Sequence, residues 1–356
     1  MSRWEYFVKR LLLTVPVLFS VLTFLFIMLR AGPIDPVAAR LGPQAGAADR
    51  AQLRERLGLN DPLWEQYVDF ITDFLTFNFG QSWVVQAERD ILDIAVGAAP
   101  ATLWLGFWAI LLPLFIGIPL GFYAGLNPNT LGDYTASLGG IIWQALPNFW
   151  LCVIALAVLR RTRNDGGLFG FDWYTLGPDF AARDISITGT PRLEWISTTD
   201  VLMLPVPYIN DWTALAIDIK LILPPAIILG SASMAAELRI GRTAMLETVN
   251  SKFVETAKAK GLSSRVIVWK HIFRNALIPL LPVITSEAFL LIGGSVIVEQ
   301  IFNINGLGRI FFQALTQGDL PMAGALLFLF TVIILGLNIL QDFLYTVIDP
   351  RVGYDQ

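Results

Sequence analysis

Val254-Glu255-Thr256-Ala257-Lys258-Ala259-Lys260-Gly261-Leu262, continuing to His271 and Asn275-Ala276-Leu277-Ile278-Pro279, is a charged island between two hydrophobic segments. The chain as a whole is apolar. Of its 356 residues 55% are hydrophobic and 15% charged, against roughly 25% charged in soluble domains, and the mean hydropathy is +0.60. Such a chain belongs in a membrane, and the island is where it leaves the bilayer as a handle for a soluble partner.

A membrane-crossing helix needs about 20 predominantly apolar residues. Six stretches qualify: 11–29, 102–122, 138–159, 221–246, 277–298 and 323–348. The fold expected is an all-α polytopic membrane protein with six transmembrane helices. The first stretch follows Arg3, Lys9 and Arg10 as a signal peptide would, but it is too long for the apolar region of one and no small-residue cleavage site follows. It reads as a retained helix. In the fourth stretch Glu237, Arg239 and Arg242 interrupt the apolar run, and Pro224 and Pro225 are expected in its first turn, where a missing N–H costs little. Pro113, Pro119 and Pro147 predict kinks in the second and third.

An even number of crossings places both termini on one side. Short basic flanks set orientation, and Arg3, Lys9, Arg10 and the bases from Arg239 to Arg274 put the termini and the island in the cytoplasm. The other side then receives 31–101, 160–220 and 300–322. In the first of these, Gly32-Pro33-Ile34-Asp35-Pro36 reads as a turn and 48–57 as a charged helix. Asn60-Asp61-Pro62 opens an amphipathic helix with Leu63, Tyr67, Phe70, Ile71, Phe74 and Leu75 at helical spacing, lying on the membrane surface or on the other spans. The insertion 160–220 carries Asp165-Gly166-Gly167, the aromatics Phe169, Phe171, Trp173 and Tyr174, and a strand-like run at 185–188. It reads as an ordered extracytoplasmic loop, unusually long for a connection.

The single cysteine, Cys152, and single histidine, His271, exclude a disulfide framework and the usual zinc sites. There is no Walker A pattern, no His-Glu-x-x-His and no nucleophile elbow, so no catalytic set, cofactor or metal is expected. Ionisable residues inside a span default to function. Glu287 reads either as lining a solute path or as a carboxylate satisfied by a neighbouring helix, while Glu237 reads as emerging into water beside Arg239 and Arg242.

In the island, Val254, Ala257 and Gly261 fall at i, i+3 and i+7 and give a small-residue face, with Glu255 and Lys258 able to pair on the solvated side. Gly261 is placed as a left-handed C-terminal cap, and Ser263 as the cap of a second helix bearing Val266, Trp269 and Phe273 on one stripe. Two short helices joined at a glycine, parallel to the membrane, make a docking face.

Glu255-Thr256-Ala257, with Gly261 four residues beyond, resembles the Glu-Ala-Ala-x-x-x-Gly motif of membrane subunits of binding-protein-dependent ABC importers. His271 and Arg274-Asn275-Ala276-Leu277-Ile278-Pro279 are similar to the dipeptide/oligopeptide/nickel permease branch. Arg10-Leu11-Leu12-Leu13 with Pro16, Leu57-Gly58-Leu59-Asn60-Asp61-Pro62, Phe79-Gly80-Gln81-Ser82, Gly306-Leu307-Gly308-Arg309 and Asp349-Pro350-Arg351-Val352 extend the resemblance over nearly the whole chain, in its first-subunit type. Thr256 replaces the second motif residue, and Asn305 stands where the family usually has proline.

The resemblance implies an ABC type I importer permease fold in three parts: 1–101, a core 102–349 with loop 160–220 and a coupling loop 247–276, and a cytoplasmic tail 350–356. It implies that Glu255, Ala257, Lys258, Gly261, Trp269 and Phe273 seat on a cytoplasmic ATPase. The partners implied are a second homologous permease, two ABC ATPase subunits and an extracytoplasmic solute-binding protein, and the cargo expected is di- or oligopeptides, with nickel complexes and other small solutes left open because relatives carry them. The rival reading is a proton-coupled secondary transporter using Glu287, for which no inverted repeat is found.

Overall fold

The computed structural model describes residues 3–31, 37, 41, 46–56, 58–162, 173, 188–193, 195–201, 204–287 and 296–348. The expected turn at 32–36, Leu57, most of the aromatic run after Asp165, the strand-like run at 185–187, part of the fifth apolar stretch and the tail 350–356 lie outside these residues.

In chain order the elements are α1 (Arg3–Ala31), α2 (Ala47–Arg56), α3 (Leu63–Leu75), α4 (Ile91–Leu112), a π-helical stretch (Pro113–Gly117), α5 (Ile118–Leu126), α6 (Leu131–Gln144) and α7 (Asn148–Arg161). The strands β1 (Ile196–Val201) and β2 (Leu204–Ile209) pair antiparallel. Then come α8 (Trp212–Val249), α9 (Lys252–Ala259), α10 (Ser264–Val266) running into a second π stretch (Ile267–Ile272), α11 (Phe273–Ala276), a 3-10 turn (Ile278–Leu280), α12 (Leu281–Ser286), α13 (Val296–Phe302), α14 (Leu307–Gln317) and α15 (Leu320–Ile348). Among the described residues five helices are long and apolar enough to cross a membrane, and a sixth if α6 and α7 count as one bent span.

The sequence placed several boundaries differently. Pro224 and Pro225 do not open the fourth span. They lie inside α8, which begins at Trp212 under an N-cap from Asp211, whose carboxylate accepts from the N–H groups of Thr213 and Ala214 at 2.8 and 3.0 Å. Residues from Trp212 to Lys220 therefore belong to a helix rather than to the long loop, and the hairpin β1–β2 occupies part of what remains. Pro147 does more than kink the third span: α6 and α7 meet at 96°, because the N–H that proline lacks would have continued the helix. Pro113 opens a π stretch, the relaxed ladder that absorbs a missing donor.

The chain forms two compact units, residues 1–99 with 306–356, and residues 100–305. The first gathers the terminal spans, although the sequence grouped 306–348 with the core. In it α1 packs on α15, and Arg10 pairs with Asp342 at 3.2 Å. The amphipathic helix α3 lies on α1, as its pattern allows: Tyr67 shares a 2.8 Å hydrogen bond with Thr23, and the Phe26 ring meets Tyr67 and Phe70 at 5.2 and 5.6 Å.

Asp319 ties this unit together. Gly318, in the left-handed conformation at φ 76°, ends α14, and the buried Asp319 that follows accepts on one oxygen from the Ser82 hydroxyl at 2.6 Å and from the N–H groups of Trp83, Val84 and Val85 at 3.1, 3.0 and 3.1 Å. Its other oxygen accepts from Met322 N–H at the start of α15, at 3.3 Å. Successive N–H groups converging on one anion form a nest, and a helix N-terminus favours the same charge.

The second unit is built around α8, about 57 Å long at 1.5 Å per residue and thus longer than the hydrocarbon thickness of about 30 Å. The stretch from Pro113 through α5 packs along it through Gly117, Gly121 and Gly125, spaced by four. A Cβ at Gly121 would stand 2.5 Å from the Leu238 carbonyl oxygen, and one at Gly125 2.6 Å from Met245 Cβ. Gly230 of α8 meets the Ala109 carbonyl of α4 in the same way.

Two outcomes follow. Gly121→Leu forces the helices apart and lowers the melting temperature of the purified protein, at a cost of about 1–3 kcal/mol or more from overpacking. Asp319→Ala leaves buried donors without an acceptor and destabilises by about 2–4 kcal/mol, read as a fall in the melting temperature.

Candidate functional site

The island lies wholly in the unit 100–305 and starts where α8 ends. After Asn250 and Ser251 the chain turns into α9, whose termination is set by Gly261 at φ 71°. Gly261 N–H donates to Lys258 O at 2.9 Å and Leu262 N–H to Ala257 O at 3.3 Å, the paired bonds of a Schellman cap. The left-handed cap expected from the sequence is thus present. Ser263 stands at the N-cap of the next helix but makes no side-chain capping bond. That helix does not end as a short surface element: helical structure of changing pitch continues through the π stretch and α11, and the apolar run Ser264–Thr285 forms one span-length segment.

The small-residue face points the other way from the one expected. Val254 is fully buried and Ala257 nearly so, packed with Ile118, Phe122, Met245, Ile267 and Ile272 into a cluster that fastens the island to the ends of α5 and α8. Ala257 is small because its own chain lies against it. Glu255 and Lys258 are exposed and form no ion pair with each other, and Gly261 is exposed. Trp269 is 64% exposed, while Phe273 is half-buried, its ring 5.3 Å from Trp269 and 5.2 Å from Phe122. With Phe253, Leu262 and Val266, Trp269 makes an exposed apolar surface beside the charges.

Just before the island, Arg242 of α8 forms a bidentate pair with Asp133 of α6, Nε to Oδ1 at 2.5 Å and Nη2 to Oδ2 at 2.7 Å. Asp133 is buried and also accepts from Asn129 N–H at 2.9 Å and Ser137 Oγ at 3.3 Å. This pair anchors the 127–130 turn to α8 next to the loop. The local signal, Thr130 as N-cap with an acidic residue three positions on, is visible in the sequence; its partner 109 residues away is not.

Glu287 follows α12 and is 7% exposed. Its Oε2 has no hydrogen-bond partner. Glu237, expected to emerge into water, is instead 0% exposed, and neither of its oxygens has a hydrogen-bond partner. The run of Glu237, Arg239 and Arg242 misled because α8 continues unbroken past it, turning Glu237 inward.

Residues 117–354 match the family described as binding-protein-dependent transport system inner membrane component, and residues 3–89 match the N-terminal region of such membrane components. The chain belongs to this permease family. It is 30% identical to the oligopeptide transport system permease protein AppB of Bacillus subtilis over 98% of this chain and 99% of that protein. It is 28% identical to the dipeptide transport system permease protein DppB of Escherichia coli, over 98% of this chain and 99% of the relative. The glutathione transport system permease protein GsiC of Salmonella typhimurium is 29% identical, over 98% and 99%.

The protein is therefore a multi-pass membrane permease subunit of an ABC importer with the type I fold, a family that works with ATPase and solute-binding partners. In this permease the Asp133–Arg242 pair holds the turn that faces the island's root. Asp133→Asn and Arg242→Met each destabilise the purified protein, and a double-mutant cycle on chemical or thermal unfolding gives a coupling of about 1–3 kcal/mol for a partly buried bidentate pair.

Proposed function

We propose that the chain is the first permease subunit of an importer for di- and oligopeptides, paired with a second homologous permease, seated on two cytoplasmic ABC ATPases and supplied by an extracytoplasmic solute-binding protein. The peptide cargo follows the names of its relatives, oligopeptide, dipeptide and glutathione permeases alike. The termini and the island face the cytoplasm, as the basic flanks favour.

One observation carries the coupling role. The island is a two-faced body: Val254, Ala257, Ile267 and Ile272 bury one face on the ends of α5 and α8, while Trp269, Phe253, Glu255 and Lys258 stand free on the other. An ATPase groove that grips the free face moves the spans, because the buried face lets the loop transmit force rather than swing. Gly261 sets the angle between α9 and the Trp269-bearing segment, and Phe273 supports Trp269 from behind. Glu287 lies on the translocation path.

The test uses the assembled transporter in proteoliposomes. Trp269→Ala removes the exposed aromatic anchor, and Gly261→Pro imposes a negative φ where the chain holds 71°. Both variants are expected to insert, and to lose the stimulation of ATP hydrolysis by loaded binding protein together with peptide uptake. Uptake unchanged in both overturns the coupling role, and uptake that survives ATP depletion but collapses with the proton gradient overturns ATP-driven transport.

A further inference from the structure

Helices α6 and α8 touch at two levels. Asp133 pairs with Arg242, and a Cβ at Gly140 would stand 3.7 Å from Ala235 Cβ. The two contacts are seven residues apart on each helix and run in opposite directions, so the helices are antiparallel and the levels lie about 10 Å apart. Arg239 therefore falls level with Ala136 and Ser137, between Tyr134 and Leu138. Beside this seam opens a cavity of about 300 Å³, whose wall includes Tyr134, Ser137, Leu138, Ile141, Arg239 and Thr243. Its size is that of a small ligand site.

The polar groups of this wall are out of balance. The Asp133 carboxylate is spent on Arg242, on the Asn129 N–H and on the Ser137 hydroxyl. The Thr243 hydroxyl donates to the Arg239 carbonyl at 3.1 Å. Among the described residues the Arg239 guanidinium pairs with no carboxylate, and the Tyr134 hydroxyl has no hydrogen-bond partner. The cavity thus keeps one uncompensated positive charge and unused donors, five of them on the guanidinium fork. An anionic group rich in acceptors fits there, and a cation does not.

Depth in the membrane selects among anions. Arg239 and Arg242 follow the apolar stretch of α8, which places the charged end of the cavity at the edge of the hydrocarbon. Leu138, Ile141 and Ala235 lie on the other side of Arg239, toward that apolar stretch, and Leu138 and Ile141 are each 57% exposed. A free phosphate would occupy the charged end and leave this wall bare, whereas an acyl chain covers it. A choline headgroup brings a cation of its own, for which no free carboxylate stands in the wall.

We infer that the cavity between α6 and α8 holds an anionic phospholipid, with its phosphate on Arg239 and Tyr134 and an acyl chain along Leu138 and Ile141. The inference rests on the membrane location and on this geometry, and not on the cargo or partners proposed above. Bound there, the lipid joins α6 to α8 beside the Asp133–Arg242 pair, close to the root of the island.

The full-length permease, purified in the complex it forms in the membrane and stripped of lipid in detergent, tests the inference. Phosphatidylglycerol is expected to raise the melting temperature at about fivefold lower concentration than phosphatidylcholine, the worth of one arginine at an anionic membrane surface. Arg239→Gln abolishes that preference and Arg239→Lys keeps it. Arg265→Gln, which removes an exposed arginine outside the cavity, also keeps it. No preference in the wild type overturns the inference, as does a preference lost equally in Arg265→Gln, which marks a general attraction to basic surface. Millimolar glycerol phosphate that reproduces the shift without lipid overturns it in favour of a free anion.

A second measurement locates the occupant. With the photoreactive residue p-benzoylphenylalanine in place of Leu138, irradiation in membranes containing phosphatidylglycerol is expected to give an adduct with the mass of that lipid. A crosslink to another protein subunit, or no lipid adduct, overturns the inference.

Discussion

Backbone contact between α8 and its neighbours is the constraint on which the unit 100–305 depends. Lipid offers no hydrophobic drive for two apolar helices to associate, so close packing and the removal of side chains at the seam must supply it. Gly117, Gly121 and Gly125 on one side and Gly230 on the other bring carbonyl oxygens to distances that no Cβ would tolerate. The seam runs along α8 from Gly230 to Met245, and the helix continues unbroken through Pro224 and Pro225.

Rigidity of α8 gives the island its meaning. A loop attached only by its two chain ends would yield to a partner's pull. This one is fastened by Val254 and Ala257 within an apolar cluster, and its root is held by the part-buried Asp133–Arg242 pair. The same helix carries Ser233 and Glu237, so the root of the island and the Glu237 carboxyl belong to one element.

The sequence was legible wherever a local rule decides structure. Gly261 as a left-handed cap, the amphipathic helix opening at Pro62 and the apolar stretches that form the spans each depend on residues a few positions apart. It misled where a local pattern competes with distant packing. The smallness of Ala257 reads equally as an approach for a partner or for the chain itself, and only the neighbours Ile118 and Met245 decide. The prolines at 224 and 225 favour a helix start on propensity, yet the Asp211 cap and the packing of α8 carry the helix through them.

By itself the sequence determined that this chain is a polytopic helical membrane protein with a polar handle, and its ordered motifs tied it to the binding-protein-dependent permeases. Hydropathy, caps and motif spacing are one-dimensional quantities, complete in the residues that carry them. Which face of the island is free, which arginine Asp133 holds, and that Glu237 is buried were decided only by the tertiary structure. Each depends on pairing residues tens of positions apart or more, and on the phase of a 38-residue helix whose rotation is fixed by glycine contacts rather than by its own charges.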